Sequence, residues 1–261
     1  MGYQALLYER RDRAVWIYLN RPDKMNSINT TLAIELEDAL SEAEADGEVR
    51  VLVISAKGPA FCAGADLKDV LAGQKEGKIG PDFLDYAAAA LNHLRRFPKP
   101  VIAAVNGIAL AGGQELVMCC DIVIAADSAR FGDAHSNYGV FPGAGGAAVL
   151  PRKVGLNRAK YLLFTGDNVS ATEMRDFGLV NQVVPDDELE TAVQALADGL
   201  AEKSPMVLRR MKEVADQSLG LSQEAALRHE MLELRNHMRS NDFQEGLAAF
   251  KEKRKPEFKG E

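Results

Sequence analysis

Val51-Leu52-Val53-Ile54-Ser55 and Val101-Ile102-Ala103-Ala104-Val105 are short apolar runs without polar alternation, the pattern of strands buried on both faces of a sheet. Such strands need cover on two sides, which restricts the chain to layered architectures. A helical stretch from about Phe83 to Arg96 separates the two runs. An earlier β-rich run, Ala14-Val15-Trp16-Ile17-Tyr18-Leu19, stops at Asn20-Arg21-Pro22, a turn signal. Asn29 and Thr30 are placed to cap a helix reaching about Asp46, with Leu32, Leu36, Ala39, Leu40 and Ala43 on one stripe and an exposed, strongly acidic face opposite. Strand, glycine turn and helix recur from Cys120 to Ala125 and beyond, so residues 1–190 are expected to form an α/β core of repeated units. The helical spacing of Leu189, Val193, Leu196, Ala197 and Leu200 predicts a helical region over residues 191–261.

The bulk composition narrows the partners. With 47% hydrophobic and 26% charged residues, 261 residues can bury a substantial core. A net charge of -7 lacks the basic footprint of a nucleic-acid binder, which leaves small or acyl substrates. Cys62, Cys119 and Cys120 are odd in number, sit in apolar runs and lack CxxC spacing; they read as reduced core thiols, with neither a disulfide frame nor a metal site expected. No signal-peptide pattern and no run of membrane-spanning length is seen, so a cytoplasmic protein without a membrane partner is expected.

Two glycine-containing turns are the candidates for chemistry. The first is Phe61-Cys62-Ala63-Gly64-Ala65-Asp66-Leu67-Lys68, after the Val51 strand; the second is Asn106-Gly107-Ile108-Ala109-Leu110-Ala111-Gly112-Gly113-Gln114-Glu115. Small residues let a ligand approach the backbone closely. Two free amides from separate turns, converging on one oxygen, are what the enolate of a thioester needs in a dry site. Glycine turns before helices are common, so neither turn identifies a site alone. The Gly- and Lys-rich stretch from Val70 to Pro81 reads as a loop bordering the pocket.

Taken together and in order, these segments resemble the enoyl-CoA hydratase/isomerase (crotonase) superfamily over essentially the full length. Besides the two turns, the carriers are Asn20-Arg21-Pro22 with Asn26-Ser27-Ile28, Lys99-Pro100-Val101, Cys120-Asp121-Ile122, Phe141-Pro142-Gly143-Ala144-Gly145-Gly146 and Leu163-Phe164-Thr165-Gly166. The resemblance implies a crotonase fold, with repeated ββα units in a spiral core and a C-terminal helical region used in trimerisation, giving a homotrimer or homohexamer. It also implies an acyl-CoA substrate and no cofactor beyond the coenzyme A of that substrate. Carried over by position, the oxyanion amides fall on Ala65 and Gly112, and the resemblance implies that Ala63, Ala65, Asp66, Leu67, Lys68 and Gly112 bind the CoA thioester. Lys68 matches a position near the CoA phosphates; Phe250 and Lys253 match C-terminal positions that help hold the nucleotide. Read bare, Lys68 is a surface lysine at a helix start, Phe250 a core residue, and the Lys251–Lys255 cluster a solvated helix end.

Glu115 matches the first of two glutamates that, in the family's hydratases, hold and activate water. The second is absent. Where the hydratases resemble Phe-Gly-x-Pro-Glu, this chain reads Phe131-Gly132-Asp133-Ala134-His135, which puts His135 in that column. A neutral imidazole both donates and accepts, and could hold a water against Glu115. Hydration of a 2-enoyl-CoA is the leading expectation. Double-bond isomerisation and hydrolytic carbon-carbon cleavage of a β-oxo acyl-CoA or β-diketone are the alternatives. The second arises because a relative acting on cyclic β-diketones carries His at that column; it also carries an Asp where this chain has Ala144. Asp133 and Tyr138 are placed to enter the pocket, although turn chemistry and packing also account for them. A non-catalytic acyl-CoA or RNA binder is a minor alternative, disfavoured for RNA by Glu35, Glu37, Asp38, Glu42 and Glu44 on the first helix.

Overall fold

The structure, a computed structural model, describes residues 2–75 and 81–261. Its centre is a six-stranded sheet in the order β1 (Leu6–Arg11), β2 (Ala14–Leu19), β3 (Val51–Ala56), β5 (Val101–Val105), β7 (Ile122–Ala126) and β10 (Gln182–Val184). Only β1 and β2 pair antiparallel; the pairs from β2 to β10 are parallel. The unbroken apolar runs are explained by alternation across this sheet. Val15, Ile17, Leu52, Ile54, Val101 and Ala103 enter one core. Their neighbours Trp16, Tyr18, Val51, Val53, Ile102 and Ala104 enter another on the opposite face.

On the first face lie α1 (Thr30–Ala45) and α3 (Phe83–Arg96). The Asn29 side chain caps α1 by accepting from Leu32 N at 3.0 Å, and the expected stripe from Leu32 to Ala43 is buried. The exposed face of α1 is acidic, as expected, with Asp38, Glu42 and Glu44 at the surface, and several of its carboxylates are engaged. Glu35 accepts from the Gln4 and Ala5 amides, Glu42 from the Tyr3 hydroxyl, and Glu37 and Glu44 both engage the His93 ring. Between these helices in sequence, α2 runs Leu67–Lys75. Helix therefore replaces the expected loop as far as Lys75, begun by Asp69 N and Val70 N donating to Asp66 O. Residues 76–80 of that stretch lie outside the described residues.

A second sheet has the order β4 (Ala60–Cys62), β6 (Ile108–Leu110), β8 (Arg130–Gly132) and β9 (Val169–Ser170), with β4, β6 and β8 mutually parallel. Each follows directly on a strand of the large sheet, so β3–β4, β5–β6 and β7–β8 are repeated units, and α4 (Gly112–Met118) completes the second. This sheet positions the site. Its three parallel strands point the same way, and the segments that leave their C-terminal ends begin at Ala63, Ala111 and Asp133.

Short helices α5 (Leu150–Val154), α6 (Leu156–Thr165) and α7 (Ala171–Phe177) then lead to β10. Helix α8 (Leu189–Ala201) lays Leu189, Val193 and Ala197 over the second core. The division expected at 190–191 thus falls inside a helix that packs on the sheet. The helices that leave the sheet are α9 (Pro205–Ser218), α10 (Gln223–His237) and α11 (Asn241–Glu252). Lys212 ties α9 to the sheet end through Asp121, whose carboxylate also accepts from Val101 N.

Candidate active site

The first turn is built by the segment before α1. Asn26, fully buried, donates to the Lys57 and Ala60 carbonyls and accepts from Arg21 N. Ile28 then forms a parallel bridge to Ala65: Ile28 N donates to Gly64 O at 2.8 Å, and Asp66 N to Ile28 O at 2.8 Å. In such a bridge the central residue's own amide points away from its partner. Ala65 N therefore faces the second turn, and it meets no acceptor among the described residues.

Gly112 N, the first amide of α4, likewise has no acceptor among them, as expected at a helix start. The two turns touch. A Cβ on Gly64 (φ 107) would lie 3.0 Å from Ala111 Cβ and 3.4 Å from Gly112 N, and one on Gly112 would lie 3.5 Å from Ala65 N. Ala111 has φ 49 and ψ -119, a backbone conformation that ordinarily falls to glycine. Ala111 N is fixed to Gly132 O at 2.9 Å.

Glu115 lies one turn into α4 and is 4% exposed. Its Oε1 accepts from Ala144 N at 2.8 Å and Gly146 N at 2.9 Å, which leaves Oε2 toward His135. The Nε2–Oε2 separation is 4.0 Å, beyond direct hydrogen bonding. His135 opens a short 3-10 turn, His135–Tyr138, which Asn137 staples to the end of α6 by donating to Gly166 O at 3.1 Å. The far side of the ring is held by Asp133, whose Oδ1 lies 2.9 Å from Nδ1. Burial alone would lower the His135 pKa, but this hydrogen bond and the charges of Asp133 and Glu115 outweigh it and raise the value. Asp133 is itself 1% exposed, and its Oδ2 has no hydrogen-bond partner among the described residues. Of the two sequence readings of Asp133, turn former or pocket residue, its burial against the His135 ring favours the second.

The remaining predicted residues divide. Ala63 N is fixed to Met25 O; Asp66 pairs with Arg21 at 3.0 Å and so braces the turn. A groove of about 480 Å³ beside it is lined by Ala65, Asp66, Leu67 and Lys68, together with Arg21 and Lys24. Lys24, two residues after the Asn-Arg-Pro motif, joins this lining although the sequence reading did not single it out. Phe250 is 86% exposed, so it is not a core residue, and Lys253 ends α11 in the left-handed conformation with φ 56. Neither lines that groove. The three cysteines are buried and unpaired, and burial pushes the Cys62 thiol up to about 12. Among the described residues no cluster could hold a metal ion and no helix is long and apolar enough to cross a membrane.

A family model described as enoyl-CoA hydratase/isomerase matches residues 9–261. The chain belongs to the enoyl-CoA hydratase/isomerase family. It is 40% identical to a probable enoyl-CoA hydratase of Rhizobium meliloti (strain 1021), with 99% of each chain covered. It is 36% identical to the crotonyl-CoA hydratase of Syntrophomonas wolfei, again over 99% of each. Among solved structures, the enoyl-CoA hydratase from Bacillus anthracis superposes with a TM-score of 0.93 at 36% identity, covering 99% of this chain and 100% of that one. The crotonase fold and membership of an enzyme family are thereby established.

Proposed function

We propose that this enzyme hydrates a 2-enoyl-CoA thioester. The observation that carries the reading is the pair of unpartnered amides, Ala65 N and Gly112 N, on two touching turns beside a buried carboxylate. Donors aimed at one point stabilise charge that appears on the thioester oxygen as the double bond is attacked. Glu115 is held on one oxygen by two amides, so its other oxygen is left to orient water and take its proton.

The steps balance as follows. Water oxygen bonds to the β-carbon, the π electrons move onto the thioester oxygen as an enolate, and the released proton goes to Glu115. The imidazolium of His135 then protonates the α-carbon as the carbonyl re-forms. The proton on Glu115 returns to His135 through the next water bound between them, which bridges the 4.0 Å gap, and this resets the site. A raised His135 pKa suits the acid half of this cycle, since more imidazolium is present near neutral pH.

Lys68 and Lys24, in the groove beside Ala65, are the proposed contacts for CoA phosphates. Phe250, exposed on α11, and Lys253 at its end are the proposed holders of the nucleotide. We read the assembly as a homotrimer or a homohexamer built as a dimer of trimers. In support, α9 and α10 enclose an apolar groove of about 750 Å³, and Met211, Leu227, Met231 and Leu234 are exposed along them. A location in the cytoplasm is part of the same proposal.

A second reading, hydrolytic carbon-carbon cleavage of a β-oxo acyl-CoA, is favoured by one observation. His135 has a carboxylate partner in Asp133, which meets the need left open by Ala144 and is the arrangement a water-activating imidazole uses. A panel of enoyl-CoA and β-oxo acyl-CoA thioesters, followed by loss of the conjugated enoyl absorbance and by mass, tests both readings. Water gain with loss of conjugation is expected for crotonyl-CoA. Fragmentation of β-oxo substrates without hydration of any enoyl thioester would replace the first reading by the second.

A further inference from the structure

We propose that Asp133 is a positioning residue for the reaction, and that the Asp133–His135 pair stands in for the missing second glutamate as one buried acid-base unit. This rests on the hydration reading. The geometry has three independent parts. A carboxylate only accepts, so the 2.9 Å contact to Nδ1 makes that nitrogen the donor and turns Nε2 toward Glu115. Asp133 is 1% exposed and its Oδ2 has no partner among the described residues, an expensive arrangement for a residue that serves only as a turn former.

The third part is the packing that joins the pair to Glu115. Gly146 donates to Glu115 Oε1, while a Cβ on the same glycine would lie 2.6 Å from Asp133 Oδ2 and 2.7 Å from Pro142 Cβ. The backbone at Gly146 therefore fits between the two carboxylates, bonding one and packing on the other. Ala134 (φ 56), the single residue between them, turns the chain so that Asp133 and His135 face each other.

Two charged groups act on the imidazole, and those of the neighbouring elements α3 and α6 are engaged elsewhere. Asp133 lies on its own segment and Glu115 on α4. Arg95, reaching in from α3, is engaged by Ala144 O at 2.9 Å and Cys119 Sγ at 3.3 Å. At the end of α6, Asp167 accepts from Tyr161 Oη at 3.0 Å. The ring is thus set between two carboxylates, with Nδ1 committed to Asp133 and Nε2 left to exchange protons in the site.

Asp133→Asn separates charge from shape, because the amide oxygen still accepts from Nδ1 while the negative charge is gone. With crotonyl-CoA, it should lower kcat by about tenfold or more, leave KM within about threefold, and move the high-pH limb of kcat/KM to lower pH. Asp133→Ala should lose more, since it removes the acceptor as well. A ring-nitrogen NMR titration of His135, one of four histidines, reads the pair without any substrate. The wild type should show an Nδ1-protonated ring with a raised pKa, and Asp133→Asn should lower that pKa. An unchanged titration and an unchanged pH limb in folded Asp133→Asn protein would overturn the inference. If the NMR result holds while crotonyl-CoA is not hydrated, the hydration reading fails and the paired unit stands.

Discussion

Glu115 combines near-complete burial with two amide donors on one oxygen, so its free oxygen can serve only the pocket. Glu115→Gln is expected to cut turnover by about a hundredfold or more while CoA binding stays within a few-fold, measured by steady-state kinetics and isothermal titration calorimetry. Unchanged turnover would remove Glu115 from the mechanism. His135→Glu makes a sharper contrast. It would set a second carboxylate against buried Asp133, so the single variant should lose hydration activity and the added Asp133→Asn change should restore part of it. Close backbone approach is the other residue-scale constraint. A Cβ on Gly113 would lie 2.1 Å from Cys62 O, a backbone atom at the end of β4. Gly113→Ala is expected to cost about 3 kcal/mol or more of unfolding free energy in urea titration, or to prevent folding.

At the scale of elements, α1 and α3 are joined by one ring with two partners. His93 Nδ1 lies 2.9 Å from Glu37 and Nε2 2.8 Å from Glu44. Burial works to lower the His93 pKa, but the hydrogen bonds to Glu44 and Glu37 outweigh it and raise the value. A raised histidine pKa gives stability that is fully present below the unfolded value and is lost as pH rises through the folded one. The stability difference between wild type and His93→Asn should therefore be on the order of 1 kcal/mol near pH 6, shrinking as pH rises past the folded value. Denaturant titrations at several pH values measure it; a difference that grows with pH would contradict the bridging role. Nothing in the sequence marked this contact, because Glu37 and Glu44 become neighbours of His93 only when α1 packs on α3.

Over the whole molecule, the exposed apolar residues of α9 and α10 are the surface on which the proposed trimer rests. Placing charges there, as in Leu227→Asp with Met231→Asp, is expected to lower the mass seen by light scattering to that of one chain; a monomeric wild type would dismiss the proposed trimer. The sequence alone determined the parts whose causes are local. The buried strands follow from unbroken apolar runs, α1 from Asn29 and its stripe, and the two glycine turns from residues that tolerate close approach. Glu115 and His135 could be singled out because motifs hold their spacing to those turns. Only the tertiary structure decided what these residues face. The parallel pairing of β4, β6 and β8 brings the segments at 63–66, 111–115 and 133–135 together, although about 70 residues of chain separate the first from the last. That convergence set Ala65 beside Gly112 and turned His135 toward Glu115. Periodicity reports which face of an element is buried; it carries no information on which buried face meets which.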